Sequence, residues 1–245
     1  MRWPRRPRRP GPADQDDDRR VRDDARERER MVAEQLMARG IRDPEVLEAF
    51  RKVPRHLFVE GDDPYGDHAM PVGEGQTISQ PYVVARMTSA ARPPGPMGWR
   101  DAPVLEVGTG SGYQAAILAE LGARVTTIER HRSLAEEASR RLAAAGYGPD
   151  RVKIVVGDGT EGWEPGAPYR SIIVTAGGPR IPEPLLKQLD PDRGRLVMPV
   201  GSRSHQFLTV VTRIGDQYER AALEPVVFVP LVGRHGVQEN ESSNV

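Results

Sequence analysis

The sequence predicts an α/β protein: a doubly wound, mostly parallel sheet with late antiparallel strands, preceded by added N-terminal helices. Three observations carry that expectation. Between Val104 and Val200 short apolar runs alternate with helical patterns, as they do when parallel strands are joined by crossover helices. Within that region Val104–Ala116, VLEVGTGSGYQAA, runs from an apolar strand through three alternating glycines into a helix start, which brings backbone close to a nucleotide-like ligand. The length, 245 residues, suits one substantial core.

Each element has its own signal. Residues 1–22 form an extension rich in Arg, Pro and Asp that is expected to be disordered: MRWPRRPRRP carries five arginines, and Asp14, Asp16, Asp17 and Asp18 come next. Residues 23–100 form an N-terminal layer of helices and a loop packed on the core. Asp23–Arg39 reads as a helix with an apolar stripe at Met31, Val32 and Leu36, ended by Gly40. Asp43-Pro44 caps and opens a second helix, with Val46, Leu47 and Phe50 on one face, which Val53-Pro54 closes. Gly61–Gly75 reads as a loop, and an ordered stretch this long without regular structure is usually functional. Pro81 opens a helix through Val83, Val84 and Met87, with Ser79 placed to cap it, and Ala91–Asp101 is a proline-rich connector.

The core is expected over residues 101–235. Its strands are Val104–Val107, Arg124–Ile128, Val152–Val156, Ser171–Val174 and Arg195–Val200, with helices at Tyr113–Leu121, Arg132–Ala145 and after Pro182. Phe207–Arg213 and Arg220–Val229 flank Gly215-Asp216 as an antiparallel pair. Residues 236–245 read as a flexible tail.

Composition excludes several functions. Lys plus Arg and Asp plus Glu balance at 35 each, which argues against a chain-wide attraction to nucleic acid. With no cysteine, disulfides, zinc–cysteine sites and thiolate nucleophiles are ruled out. The five histidines, His56, His68, His131, His205 and His235, are scattered and suggest no metal site. No window approaches the roughly 20 apolar residues of a membrane span, and the start lacks a signal-peptide core, so a cytoplasmic location is expected. A monomer is the default expectation, with no sequence feature that sets the oligomeric state.

The residues downstream of the glycine turn indicate its ligand. Gly108, Gly110 and Gly112 are spaced so that Tyr113 stands where a dinucleotide fingerprint has its third glycine, and no GKS/T triphosphate loop is present. Glu129, at the end of the second strand, suits the two hydroxyls of a ribose. Asp158, in Gly157-Asp158-Gly159 at the end of the third, could take the amino group of an adenine or simply cap a turn. Two acids at consecutive strand ends favour S-adenosylmethionine. Before the sheet, Pro71–Pro81 (PVGEGQTISQP) offers hydroxyls and amides, and Ser79 can both cap a helix and hold a substrate oxygen. Ile172–Pro179 (IIVTAGGP) leaves room for an extended substrate.

Together these segments resemble the protein-L-isoaspartate O-methyltransferase family, through RGIRDPEVLEAFRKVPRHLFV, GEGQTISQPYVVARMT, VLEVGTGSGYQAAILAELGARVTTIER, GDG followed by GW, IIVTAGGP, GRLVMPVG and FVPLVG. The resemblance implies a class I S-adenosylmethionine-dependent methyltransferase fold. It implies esterification of the α-carboxylate of L-isoaspartyl residues in proteins or peptides, with S-adenosyl-L-homocysteine as product and no metal. Loss of methanol then gives a succinimide, and its hydrolysis returns some normal aspartate. By motif, Ser79 matches the active-site serine, while Gln76, Thr77, Ile78, Gly108, Thr109, Gly110, Gly112, Glu129, Asp158, Gly159 and Gln206 match the cofactor side. The chemistry agrees: a carboxylate with pKa of about 4 is already ionised and needs no base, so Ser79 would orient it rather than attack. His56 is read as a packing or capping partner.

Four departures stand out: Arg170 in place of an aspartate behind the glycine loop, Glu74 adding charge near the substrate entrance, Gly177-Gly178 loosening the substrate loop, and Val237 in a tryptophan position. The altered loop and the arginine-rich N-terminal arm motivate one alternative, a family member esterifying an aspartate of a dedicated partner peptide to drive succinimide formation. A different class of alternative is a non-catalytic S-adenosylmethionine-binding module.

Overall fold

The computed structural model describes residues 24–238; the Arg/Pro/Asp-rich extension lies outside the described residues. Helix α1 covers residues 24–37, α-helical through residue 30 and wound as a wider π-helix over Met31–Met37. It buries Met31, Val32 and Leu36. Its end differs slightly from the expectation, because residues 38–40 form a turn that closes on the left-handed Gly40 (φ 92°).

Helix α2 (Pro44–Lys52) begins as expected. The Asp43 carboxylate accepts from the N–H groups of Glu45 and Val46, and Pro44 occupies the first turn, where its missing N–H has no cost.

The segment read as a loop over Gly61–Gly75 contains a hairpin instead: β1 (Met70–Gly73) pairs antiparallel with β2 (Gln76–Ile78). Glu74 (φ 51°) and Gly75 (φ 67°) both adopt the left-handed region, as a two-residue hairpin turn requires. Helix α3 (Pro81–Ala91) comes next and runs one turn beyond Met87. Its cap position is Gln80, so Ser79 does not cap it. Pro81 sits in the first turn, and that register leaves the Ser79 hydroxyl one residue too early.

Strands β3 (Pro103–Val107), β4 (Arg124–Glu129), β5 (Val152–Val156), β6 (Ser171–Val174), β7 (Asp192–Gly201), β8 (Gln206–Ile214) and β9 (Gln217–Val226) form one seven-stranded sheet in the order β5-β4-β3-β6-β7-β8-β9. The first five are parallel and β8 and β9 are antiparallel. Helices α4 (Tyr113–Glu120), α5 (Arg132–Ala144) and α6 (Glu183–Lys187) complete the alternation.

Strand β3 is buried on both faces, as a central parallel strand must be. Val104 joins the core beneath α1–α5, whereas Leu105 and Val107 join the opposite core with Leu185, Leu186 and Leu231. Strand order runs outward from β3 in both directions, so a crevice opens at the carboxyl ends of β3 and β6, the topological switch point.

Three expectations change here. The connector after α3 is part of the core, since Trp99 is buried. Arg170 lies at the opposite end of β6 from the glycine turn, donating to the Pro94 carbonyl (2.7 Å), with Asp190 at 3.8 Å. The start of the expected tail is packed on the strap, since Val237 N–H donates to the Leu231 carbonyl (2.8 Å) and a Cβ on Gly236 would stand 2.1 Å from that oxygen, while residues 239–245 lie outside the described residues. Among the described residues no helix is long and apolar enough to cross a membrane.

Candidate active site

The glycine turn forms the floor of the crevice. Gly108 (φ 95°) must lack a side chain because a Cβ there would stand 2.4 Å from the Thr175 hydroxyl, which donates to the Gly108 carbonyl at 2.8 Å. Gly110 (φ 52°) faces open space, so its backbone is free to approach a ligand. Gly112 does something else: a Cβ would meet Leu142 at 3.1 Å, so this glycine lets α4 pack closely on α5 and does not line the cavity.

Beside the turn, buried Glu129 accepts from Gly110 N–H (2.9 Å, Oε2) and His131 N–H (3.0 Å, Oε1). These bonds fix the carboxylate at the cavity wall and leave lone pairs on both oxygens for a ligand. Thr109 is held by a 2.7 Å hydroxyl pair with Thr127.

The hairpin supplies the facing wall, with Gln76, Thr77, Ile78 and Ser79 all lining the cavity. Its tip is tied across the start of α5, where Ser133 Oγ donates to Glu74 Oε1 at 2.7 Å and His131 stands 3.9 Å from Glu74. Glu74 is therefore a latch for this wall. The third side is a C-terminal strap in which Val229, Pro230, Leu231 and Val232 line the cavity. The strap is pinned to the β6 loop by Gly177 N–H to Val229 carbonyl (2.8 Å) and Leu231 N–H to Gly177 carbonyl (2.7 Å).

Of the residues expected at the site, Gln76, Thr77, Ile78, Ser79, Gly108, Thr109, Gly110, Glu129 and Gly159 come together around one cavity. Gly112, Asp158 and Gln206 stand outside its wall. Asp158 takes the capping alternative: Oδ1 accepts from the N–H and hydroxyl of Thr160, and Oδ2 from the N–H of Arg234 (2.7 Å). Burial works to raise its pKa, but these donors outweigh it and hold the carboxyl below the usual aspartate range.

Gln206 is locked at both ends of its amide to the main chain of Phe228, at 2.9 and 3.3 Å. Gly177 makes room for it, since a Cβ there would stand 2.5 Å from the Gln206 amide. The Gly177-Gly178 departure thus accommodates Gln206 and, at Gly178, Met198. His56 bonds the Tyr65 hydroxyl at 2.7 Å, a packing role as expected.

Sequence reasoning missed Glu106. This residue lines the cavity, is fully buried, and has no hydrogen-bond partner for either oxygen. Burial, reinforced by the charge of Glu129 and opposed by the Thr127 hydroxyl, pushes its pKa up to about 8. The signal was present, because an acid inside the apolar run VLEV has no structural reason to be there.

Comparison with known proteins points the same way. A family model described as protein-L-isoaspartate(D-aspartate) O-methyltransferase matches residues 26–236. A protein-L-isoaspartate O-methyltransferase of Methanoregula boonei is 50% identical over 213 residues, covering 86% of this chain and 94% of its own. Protein-L-isoaspartate O-methyltransferase 1 of Rhodopseudomonas palustris is 51% identical over 217 residues, covering 86% of this chain and 85% of its own. Among solved structures, a protein-L-isoaspartate O-methyltransferase superposes with a TM-score of 0.75 at 26% identity, over 85% of this chain and 67% of that one. A Plasmodium falciparum protein of the same designation, in complex with S-adenosyl-L-homocysteine, shares the fold (TM-score 0.69, 24% identity, 82% of this chain and 96% of that one).

Proposed function

The chain belongs to the protein-L-isoaspartate O-methyltransferase family, and from that membership we propose that it transfers the methyl group of S-adenosylmethionine to the α-carboxylate of L-isoaspartyl residues in proteins and peptides. The observation that carries this reading is the shared enclosure: the glycine turn with Glu129 and the hairpin segment with Ser79 line the same cavity, so donor and acceptor sites adjoin.

The residues fit the cofactor. Gly110 leaves open space beside its backbone, Glu129 keeps acceptor capacity for ribose hydroxyls, and the unpartnered Glu106 carboxyl suits a ligand that carries N–H donors. Gly159 lines the cavity and would stand beside the bound ligand, while Asp158, bonded to Thr160 and Arg234, would hold the strap that closes around it. S-adenosylmethionine supplies a methyl group on a sulfonium, an excellent leaving group.

The protein's task is then alignment. The acceptor carboxylate is ionised at neutral pH and needs no base. Ser79 O–H donates to one carboxylate oxygen and leaves the other directed at the methyl carbon. Gln76, Thr77 and Ile78 form the wall that excludes water. Holding two reactants in such geometry can lower the barrier by up to about 7–11 kcal/mol. The methyl ester afterwards loses methanol to a succinimide, whose hydrolysis returns some normal aspartate.

Relatives at about half identity carry the isoaspartate designation, which favours isoaspartyl substrates over a dedicated aspartyl peptide. The test is a matched pair of peptides, one isoaspartyl and one aspartyl, incubated with the purified protein and S-adenosylmethionine. Ester is expected on the isoaspartyl peptide; turnover confined to the aspartyl peptide would reverse the assignment.

A further inference from the structure

Arg55 is an unusual occupant of the interior. Its side chain is fully buried, yet no carboxylate pairs with it among the described residues. A buried cation without a counter-ion is costly, and an apolar side chain of similar size would fill the space without that cost.

What the guanidinium does hold is specific. Its Nε donates to the Pro64 carbonyl at 2.8 Å and its Nη2 donates to the Ser79 carbonyl at 2.8 Å, while Nη1 has no partner. The group also lies over the Tyr113 ring, 4.9 Å from its centroid. Three parts of the chain thus meet on one side chain: the turn Arg55–Leu57 after α2, the run leading into the hairpin, and Ser79 at the hairpin's exit. The fourth contact, Tyr113, is the first residue of α4, directly after the glycine turn, and is wedged between Phe50 and Phe58. The planar fork suits this arrangement, since two N–H groups diverge to two carbonyls while the face stacks on an aromatic ring.

We propose that Arg55 is a positioning residue for methyl transfer, tying the Ser79 main chain to the helix that begins at the glycine turn so that the Ser79 hydroxyl and the cofactor's methyl keep a fixed separation. The proposal rests on the methyltransferase reading above. Arg55 does not line the cavity, so it acts through Ser79 and not on substrate or cofactor directly.

Arg55→Met fills the volume without donors or charge. It is expected to fold, to bind S-adenosyl-L-homocysteine within about threefold of the parent, and to lose tenfold or more in kcat on an isoaspartyl peptide. Arg55→Lys keeps the charge but cannot reach both carbonyls from the same stacked position, so it should recover only part of that loss. The decisive readout is a double-mutant cycle. In a Ser79→Ala background Arg55→Met should cost little more, because its effect passes through the serine. Parent-like kcat in a folded Arg55→Met protein, additive losses in the cycle, or equal losses in kcat and cofactor affinity would each overturn the proposal. So would failure of both variants to fold, which would make Arg55 a support of the whole domain. Absence of turnover in the parent protein would instead count against the proposed function.

Discussion

Replacing Glu106 by glutamine tests how the central strand tolerates an acid. Glu106 sits in the middle of β3, paired with β4 and β6 on either side, with no exposed surface and no hydrogen-bond partner. Burial raises its pKa from 4.5 to about 8 in the folded state. The folded protein therefore keeps a proton between those values that the unfolded chain has already lost. Stability is greatest while both states are protonated and falls as pH rises through the window, by about 1.4 kcal/mol for each pH unit well inside it. From about pH 5.5 to about pH 7.5 the loss assigned to this one group is about 2–3 kcal/mol. Glu106→Gln is nearly isosteric and does not titrate, so this portion of the pH dependence should vanish. Urea unfolding of both proteins without cofactor, at several pH values across the window, measures it. The difference in unfolding free energy between the variant and the parent should widen in the variant's favour as pH rises. Parallel profiles would refute the reasoning and place an ionised carboxylate in the folded core.

The site carries three further expected outcomes. Glu129→Ala removes the acceptor for Gly110 and His131 N–H as well as the proposed ribose contact, so the Kd for S-adenosyl-L-homocysteine by calorimetry should rise about tenfold or more, and unchanged affinity would count against it. Ser79→Ala should lower kcat/KM for an isoaspartyl peptide by about 10–100-fold with cofactor affinity held within about threefold, since the hydroxyl is proposed to serve the acceptor. Asp158→Asn weakens the latch on Arg234 and Thr160, so hydrogen exchange should quicken over residues 231–237. Because the Asp158 pKa is lowered, the same loosening should appear in the parent only as pH falls through that lowered value; exchange that is unaltered in the variant would show that the strap is held elsewhere.

Much of the architecture was legible because its signals are local. The alternation of strands and helices and the glycine spacing express periodicity and backbone freedom, and both survive into the structure. Glu129 was legible for the same reason, since a strand end fixes where a side chain emerges. The hairpin was not, because Glu74-Gly75 forms a turn more often signalled by Asn-Gly or Asp-Gly, and its glutamate is held by Ser133 and His131, nearly sixty residues away. Asp158 and Gln206 show the same limit. Their types suit a ligand, but the strap residues Arg234 and Phe228 approach them only in the folded chain and take their hydrogen bonds. Ser79 lies on the cavity wall, as its proposed substrate role requires, but it does not cap α3, because the register set by Pro81 puts the cap one position later. Arg55 and Glu106 were passed over as members of motifs; only their burial without a charged partner marks them.

The most direct test of the central claim is where the methyl group goes. An isoaspartyl peptide is treated with the purified protein and S-adenosylmethionine, and the products are fragmented by mass spectrometry over a time course. A methyl ester is expected on the α-carboxylate of the isoaspartyl residue, giving way to a succinimide and then to a share of normal aspartyl peptide. Methyl found on any other atom, or none transferred while the protein binds the cofactor, would contradict it.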